Sequence, residues 1–179
     1  MFQMYHETAN PDMGPKRLAA LRSAMSEDRL DGFIVPRSDV HQGEYVAPHD
    51  ERLSWLTGFT GSAGYCVALK DCAGVFVDGR YRVQVKVQVA QDFTPVDWPE
   101  VALADWIRDA LKAGGRVGID PWLFSIDQVR RLRSGLKSVD IVSSDNLIDR
   151  IWEDQPDPPR GAVIVQSLAL AGEAHGAKI

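Results

Sequence analysis

Apolar positions recur at helical spacing over residues 16–30, where Leu18, Leu21, Ala24 and Met25 share one face and Pro15 suits a first helical turn. Gly32 ends that pattern. The run Phe33-Ile34-Val35, closed by Pro36, predicts a short buried strand. Arg37 to His49 is polar and fits neither period. Asp50 is placed to cap a short helix through Trp55 and Leu56, with Gly58 as its C-terminal stop. Tyr65 to Leu69 and Val75 to Val77, separated by a loop with Asp71 and Gly74, predict a hairpin. Val101 to Leu111 predicts a helix with Leu103, Trp106, Ile107, Ala110 and Leu111 on one side, ended by Gly114-Gly115. Val117 to Ile119 reads as a strand, and Ile126, Val129, Leu132 and Leu136 mark a further helix. Val139 to Val142 is the last strand of this unit, and Asp145 or Asn146 caps a final helix bearing Leu147, Ile148, Ile151 and Trp152.

One segment sends a strand signal in its local pattern. Val83, Val85, Val87 and Val89 alternate with polar residues, and Asp78-Gly79 ahead of them is a common type I′ turn pair. Local rules alone favour a hairpin arm over residues 80–89.

Strands and helices thus alternate through residue 154, which makes an α/β domain over 15–154 behind a flexible leading segment, 1–14. The character then changes. Gln155-Pro156-Asp157-Pro158-Pro159 cannot continue a helix and favours an extended spacer, so 155–160 reads as a linker. Ala162 to Leu170 predicts a new strand. Residues 161–179 are too few to bury a core, and are expected to be the truncated start of a second domain.

Composition narrows the partners. Hydrophobic residues make up 45% and charged residues 25%, ordinary for a globular chain, with a net charge of −5. Acids and bases are mixed without a basic stripe, so no nucleic-acid partner is expected. The start lacks a basic region followed by an apolar one, and no apolar run approaches the ~20 residues that cross a bilayer. No membrane partner and a cytoplasmic location follow as expectations. Cys66 and Cys72 form no disulfide framework; a buried strand cysteine and a turn cysteine in a reducing compartment account for them.

Three groups of residues invite chemistry. Asp39, His41 and Glu44, with His49, Asp50 and Glu51 beyond, resemble a metal or acid–base cluster. Their spacing lacks the tight repetition of metal ligands, and a solvated loop bonding its own backbone explains them better. The run Gly58-Phe59-Thr60-Gly61-Ser62-Ala63-Gly64 lacks the Lys-Ser/Thr ending of a phosphate loop and leads from helix into strand. Ser62 fails as a nucleophile elbow for the same reason, and a tight connection needing positive φ accounts for the glycines. Asp78-Gly79-Arg80-Tyr81 follows a strand, where open α/β sheets present ligand groups. Arg80 there is either a clamp for a carboxylate or carbonyl oxygen, or an exposed turn arginine.

Several ordered motifs together resemble a known family. Asp39-Val-His-Gln-Gly-Glu-Tyr-Val-Ala-Pro48, Asp50-Glu-Arg52, Trp55-Leu-Thr-Gly-Phe-Thr-Gly-Ser-Ala-Gly64, Val77-Asp-Gly-Arg-Tyr81, Arg116-Val-Gly-Ile-Asp-Pro121 and Asn146-Leu-Ile-Asp-Arg-Ile-Trp152 resemble the opening of Xaa-Pro aminopeptidases (aminopeptidase P). The likeness spans roughly residues 15–160 and is greatest to the long, cytosolic, three-domain form. It implies a creatinase/prolidase N-terminal domain: a three-layer α/β/α sandwich around a mixed sheet, with a ribonuclease H-like motif. In that family two aspartates, a histidine and two glutamates of a C-terminal domain hold two metal ions, usually Mn²⁺. A metal-bound hydroxide there attacks the carbonyl before proline, because paired metals generate the nucleophile at neutral pH and stabilise the oxyanion. Those ligand motifs do not occur here, so the resemblance implies an inactive fragment with no cofactor of its own. Shaping the substrate cleft and oligomerisation remain as its work. Peptides with proline in second position and the middle and C-terminal domains are then the implied partners, with a homo-oligomer expected. Arg80 is expected to reach toward the active site, and His41 and Arg52 match the family pattern as further substrate-binding candidates. The resemblance also places a helix after Arg80, and that is favoured over the alternating valines because tertiary context overrides local preference. The same domain of a prolidase or creatinase-like hydrolase, or a free-standing binding or dimerisation module, are the other readings.

Overall fold

The computed structural model describes residues 9–179. The helical stripe of Leu18, Leu21, Ala24 and Met25 is buried on α1 (Gly14–Glu27), whose first turn contains Pro15 where a missing N–H costs nothing. The leading segment expected to be flexible lies, for residues 1–8, outside the described residues. Pro11–Met13 already forms a 3₁₀ turn running into α1. The strands are β1 (Gly32–Pro36), β2 (Tyr65–Leu69), β3 (Ala73–Val77), β4 (Thr94–Asp97), β5 (Gly115–Ile119) and β6 (Val139–Ser143). The remaining helices are α2 (Arg52–Thr57), α3 (Gln84–Gln88), α4 (Leu103–Ala110), α5 (Ile126–Gly135), α6 (Leu147–Ile151), α7 (Leu168–Ala171) and α8 (His175–Lys178).

The six strands form one mixed sheet in the order β4-β3-β2-β1-β5-β6. Only β2 runs against the others: it pairs antiparallel with β1 and β3, while β3–β4, β1–β5 and β5–β6 are parallel. Side chains alternate across the sheet, so the inner strands β1, β2 and β3 each supply two cores. Phe33, Val35, Cys66, Ala68, Val75 and Val77 meet α1, α2, α3 and α6 on one face. Ile34, Val67, Leu69, Phe76 and Val117 meet α4 and α5 on the other, through Leu103, Ile107, Leu132 and Leu136. This is the α/β/α sandwich expected. Cys66 and Cys72 are both free thiols, and burial pushes Cys66 well above its ordinary pKa.

Several local readings need correction. The segment after Arg80 is helical, as favoured: Val85 is buried and Val89 half-buried one turn on, whereas Val83 and Val87 point to water at 81% and 74% exposure. The alternation of valines was therefore two spaced contacts of a helix rather than a strand face. Asp50 does not cap α2. Glu51 holds that position without a side-chain bond, and the Asp50 carboxylate turns to Arg52 instead. Ile126 is 73% exposed rather than inward, since it occupies the first turn of α5 behind a Ser125–Gln128 capping box. β4 had no strand signal: only Val96 of Thr-Pro-Val-Asp is buried, and Pro95 is tolerated because the strand lies at the sheet edge. The expected strand over 162–170 does not form. Val163, Ile164 and Val165 are extended but unpaired and exposed, and Leu168–Ala171 is a short helix. Among the described residues no helix is long and apolar enough to cross a membrane.

Candidate functional site

Because every strand except β2 runs the same way, the C-terminal ends of β1, β3, β4, β5 and β6 meet along one edge of the sheet. Arg37, Asp78, Trp98, Asp120 and Ser144 are the first residues beyond those ends. Sheets of this kind present ligand groups on such an edge, where loops can vary without disturbing the core.

Arg80 stands on this edge. Asp78 accepts from the Arg80 backbone N–H at 2.9 Å, from Nε at 3.1 Å and from Nη2 at 2.8 Å. The guanidinium carbon sits 5.0 Å from the centre of the Tyr81 ring, a cation–π distance. Tyr81 is fixed in turn: its hydroxyl is 2.6 Å from Ser62 Oγ, and its ring meets Phe59 edge-on at 5.5 Å. The Arg80 guanidinium holds the Asp78 carboxyl below the usual carboxylate range, and the bond from Ser62 lowers the Tyr81 phenol.

Ser62 reaches Tyr81 because of the glycines around it. Only Gly58 takes the positive φ expected of this run, at +84°, as the left-handed C-terminal residue of α2. Gly61 and Gly64 answer to space instead. A Cβ on Gly61 would lie 2.2 Å from the Phe59 ring, and one on Gly64 would lie 2.8 Å from the Phe76 carbonyl oxygen.

The polar segment between β1 and α2 is held by two residues. Arg37 donates from Nη1 to the carbonyls of Glu44 and Ser62 and pairs with Glu51 through Nη2. Asp39 accepts from the backbone N–H groups of His41 and Gly43 at 2.9 Å each, which holds its carboxyl below the usual range. Burial pushes the Glu51 carboxyl up despite Arg37. His41 is exposed and takes part here through its backbone. Among the described residues no group of three or more His, Cys, Asp or Glu could hold a metal ion.

Arg52 belongs to a separate network. It is 5% exposed and pairs with Asp149 on α6 through Nε at 2.6 Å and Nη2 at 2.9 Å, and with Asp50 through Nη1 at 2.8 Å. Asp149 also accepts from Gln155, which donates to the His49 carbonyl as well. His49 Nδ1 lies 2.6 Å from the Pro156 carbonyl oxygen. The chain leaving the domain is thereby pinned to the turn before α2. Beside it, Trp55 stacks on Trp152 at 5.2 Å with Arg17 over Trp55 at 4.6 Å, bordering a cavity of about 650 Å³.

The structure thus joins Arg80 to Asp78, Tyr81 and Ser62, and sets Arg52 apart. Sequence reasoning missed Arg37 and Asp149. The strand-end rule applied to Pro36 would have found Arg37, but nothing local marks Asp149 as the partner of a residue 97 positions away.

Comparison with known proteins gives a consistent answer. Residues 17–151 match the model of the creatinase/prolidase N-terminal domain. The chain is 36% identical over 168 residues to Aminopeptidase P1 of Lotus japonicus, covering 90% of this chain and 26% of that protein. It is 35% identical over 167 residues to Xaa-Pro aminopeptidase 2 of Homo sapiens, covering 90% of this chain and 25% of that one. The chain therefore spans about a quarter of the length of these curated relatives. Its fold superposes with a TM-score of 0.84 and 29% identity on an X-prolyl aminopeptidase from Caenorhabditis elegans, described as a cytosolic enzyme with a di-nuclear active site, over 92% of this chain and 29% of that one. The N-terminal domain of the peptidase PepQ from Mycobacterium tuberculosis shares the fold at a TM-score of 0.61 and 23% identity, over 76% of this chain and 98% of that one. With its mixed sheet, two helical layers and matched span in agreement, this chain belongs to the creatinase/prolidase N-terminal domain family.

Proposed function

We propose that this chain serves as the non-catalytic N-terminal domain of a cytoplasmic, manganese-dependent Xaa-Pro aminopeptidase, which releases the first residue of peptides with proline in second position. The observation that carries this reading is Arg80: an exposed guanidinium on the strand-end edge, held by neighbours, in a chain whose relatives bear that name. A di-nuclear centre like that described for the C. elegans relative would be held by polypeptide beyond these residues. It would supply a metal-activated hydroxide, and this domain would supply one wall of the cleft. Arg80 contacts the substrate from that wall. His41 stands exposed nearby in sequence order as a second candidate, while Arg52 acts through the anchoring of Asp149 and the exit of the chain. The Trp55–Trp152 surface and the pinned segment at Gln155–Pro156 set how neighbouring domains, or a second copy in a homo-oligomer, pack against this one.

The test compares this chain with the complete gene product on a Xaa-Pro peptide in the presence of Mn²⁺. Turnover by the complete protein, none by this chain, and a fall of about tenfold or more in kcat/KM for Arg80→Ala support the reading, a loss of one or two substrate hydrogen bonds being worth that much. Appreciable turnover by this chain alone overturns it.

A further inference from the structure

We infer that Asp78, Tyr81 and Ser62 are positioning residues that present Arg80 to a planar oxygen-bearing group, a peptide carbonyl or carboxylate, of the substrate. This rests on the reading of Arg80 as the substrate-facing group and adds how that group is aimed.

A guanidinium offers two forked edges. Asp78 occupies the side edge, through Nε and Nη2. The end edge, formed by Nη1 and the second N–H of Nη2, meets no partner among the described residues, and the side chain is 62% exposed. An arginine left to itself at that exposure samples many rotamers, and a substrate would have to freeze it on binding. Here the freezing is done by the protein. The carboxylate fixes the plane of the fork, the Tyr81 ring lies under it, and Ser62 pins the ring from the glycine-rich loop. Asp78 is itself fixed by accepting from the Arg80 backbone N–H, and the Tyr81 N–H donates to the Asp78 carbonyl at 3.0 Å. The Glu44 carboxylate adds a weaker field on the same guanidinium. The Asp78–Arg80 pair is not required to hold the fold, since exposed pairs add little to stability. The arrangement makes physical sense as aim. It also explains why Ser62, unsuited to be a nucleophile, stands on the rim.

The experiment uses the complete gene product with a Xaa-Pro peptide, and the variants Asp78→Asn, Tyr81→Leu, Tyr81→Phe, Ser62→Ala and Arg80→Ala. Asp78→Asn and Tyr81→Leu are expected to raise KM about five- to tenfold with kcat within twofold, Asp78→Asn at an unchanged melting temperature, since a disordered arginine costs affinity before chemistry. Tyr81→Phe, which keeps the ring, and Ser62→Ala should fall between these and the wild type. Asp78→Asn should add nothing in the Arg80→Ala background. In ¹⁵N spectra of this chain, the Arg80 Nε–H should exchange slowly with water and lose that protection in Asp78→Asn. If Arg80→Ala loses activity while Asp78→Asn and Tyr81→Leu are kinetically silent, the positioning role is overturned and the reading of Arg80 survives. If Arg80→Ala is itself silent, the reading of Arg80 falls. An Arg80 Nε–H as fast-exchanging in the wild type as in Asp78→Asn overturns the restraint whatever the kinetics show.

Discussion

Arg52 and Arg80 carry the same charged group into opposite surroundings. Arg52 is nearly sealed from water, and its main partner, Asp149, is 97 positions away on α6. Arg80 is largely exposed, and its partner is two residues back in the same turn. A guanidinium out of water loses hydration that only close, well-aimed carboxylates offset, so both Asp149 and Asp50 must stay in place around Arg52. Arg80 keeps its water and gains little stability from Asp78. The first network ties α2, α6 and the departing chain into one body. The second reaches no farther than the glycine-rich loop, through Tyr81 and Ser62, and restrains a surface group. Burial separates the ion pairs that build this domain from those that point out of it, since Arg52–Asp50 spans the same two positions as Arg80–Asp78.

The contrast breaks most visibly at Gly58, which ends α2 just behind Arg52. Gly58→Ala would place a Cβ at a φ of +84° and 2.5 Å from the Gln88 carbonyl oxygen. The backbone conformation resists a side chain and the carbonyl cannot retreat without moving α3, so a loss of about 3 kcal/mol is expected in urea unfolding. Arg52→Met comes next. It strands two carboxylates, but the Asp149 side chain is 35% exposed and recovers some hydration. A loss of about 2 kcal/mol is expected, less than for a fully buried pair. It should be accompanied by faster proteolysis near residue 155, since Gln155 bonds the same carboxylate. An Arg52→Met variant as stable as the wild type would erase the distinction between the two arginines.

The sheet and both helical layers were legible because their residues obey local periods: Phe33 to Val35, Leu103 with Ile107, and Leu18 with Leu21 and Met25 announce their faces. β4 was not, since an edge strand with one buried valine has almost no pattern to read. The valines after Arg80 show the limit from the other side, as a spacing of two also contains a spacing of four. Of the candidate site, Arg80's place after a strand was legible, and Ser62 was weighed and set aside as a nucleophile without its bond to Tyr81 being seen. Its partnership with Tyr81 depends on a loop folding back 19 positions, and the Arg52 network on a longer closure still. Neither distance is written in any window of sequence. The glycines of that loop were correctly singled out, yet only one of them needed its φ; the others needed the absence of a side chain.

The rim has a pH signature of its own. Asp39 accepts two backbone N–H groups that hold its carboxyl below the ordinary value, so its contribution is present at neutral pH and down to about pH 4. It is lost as pH falls through the lowered folded value. Asp39→Asn should therefore cost about 1 kcal/mol at pH 7 and make stability flatter below about pH 4, read by urea midpoints across that range. Glu51 works the other way: burial disfavours its charge, so protonation on acidification relieves a cost. A double variant with Glu51→Gln separates the two slopes, and an Asp39→Asn profile that keeps the slope of its Glu51→Gln parent below about pH 4 would show that the bonds to Asp39 do not persist in solution.

The smallest expected effect sharpens the comparison most. Arg80→Ala removes a charge that the fold does not bury; Asp78, 20% exposed beside the arginine, gains water and keeps the backbone N–H of position 80, while the Tyr81 ring stays held by Ser62 and Phe59. No cavity forms, no buried partner is stranded and no backbone conformation is forced, which are the mechanisms behind large losses. The melting temperature of this chain should therefore move by no more than about 1 °C, within what surface substitutions do. A shift several times larger would mean that the Asp78–Arg80–Tyr81 stack supports the glycine-rich loop and the start of α3. Arg80 would then belong with Arg52 among the groups that build the domain, and any loss of activity in its variant would carry no message about contact with a substrate.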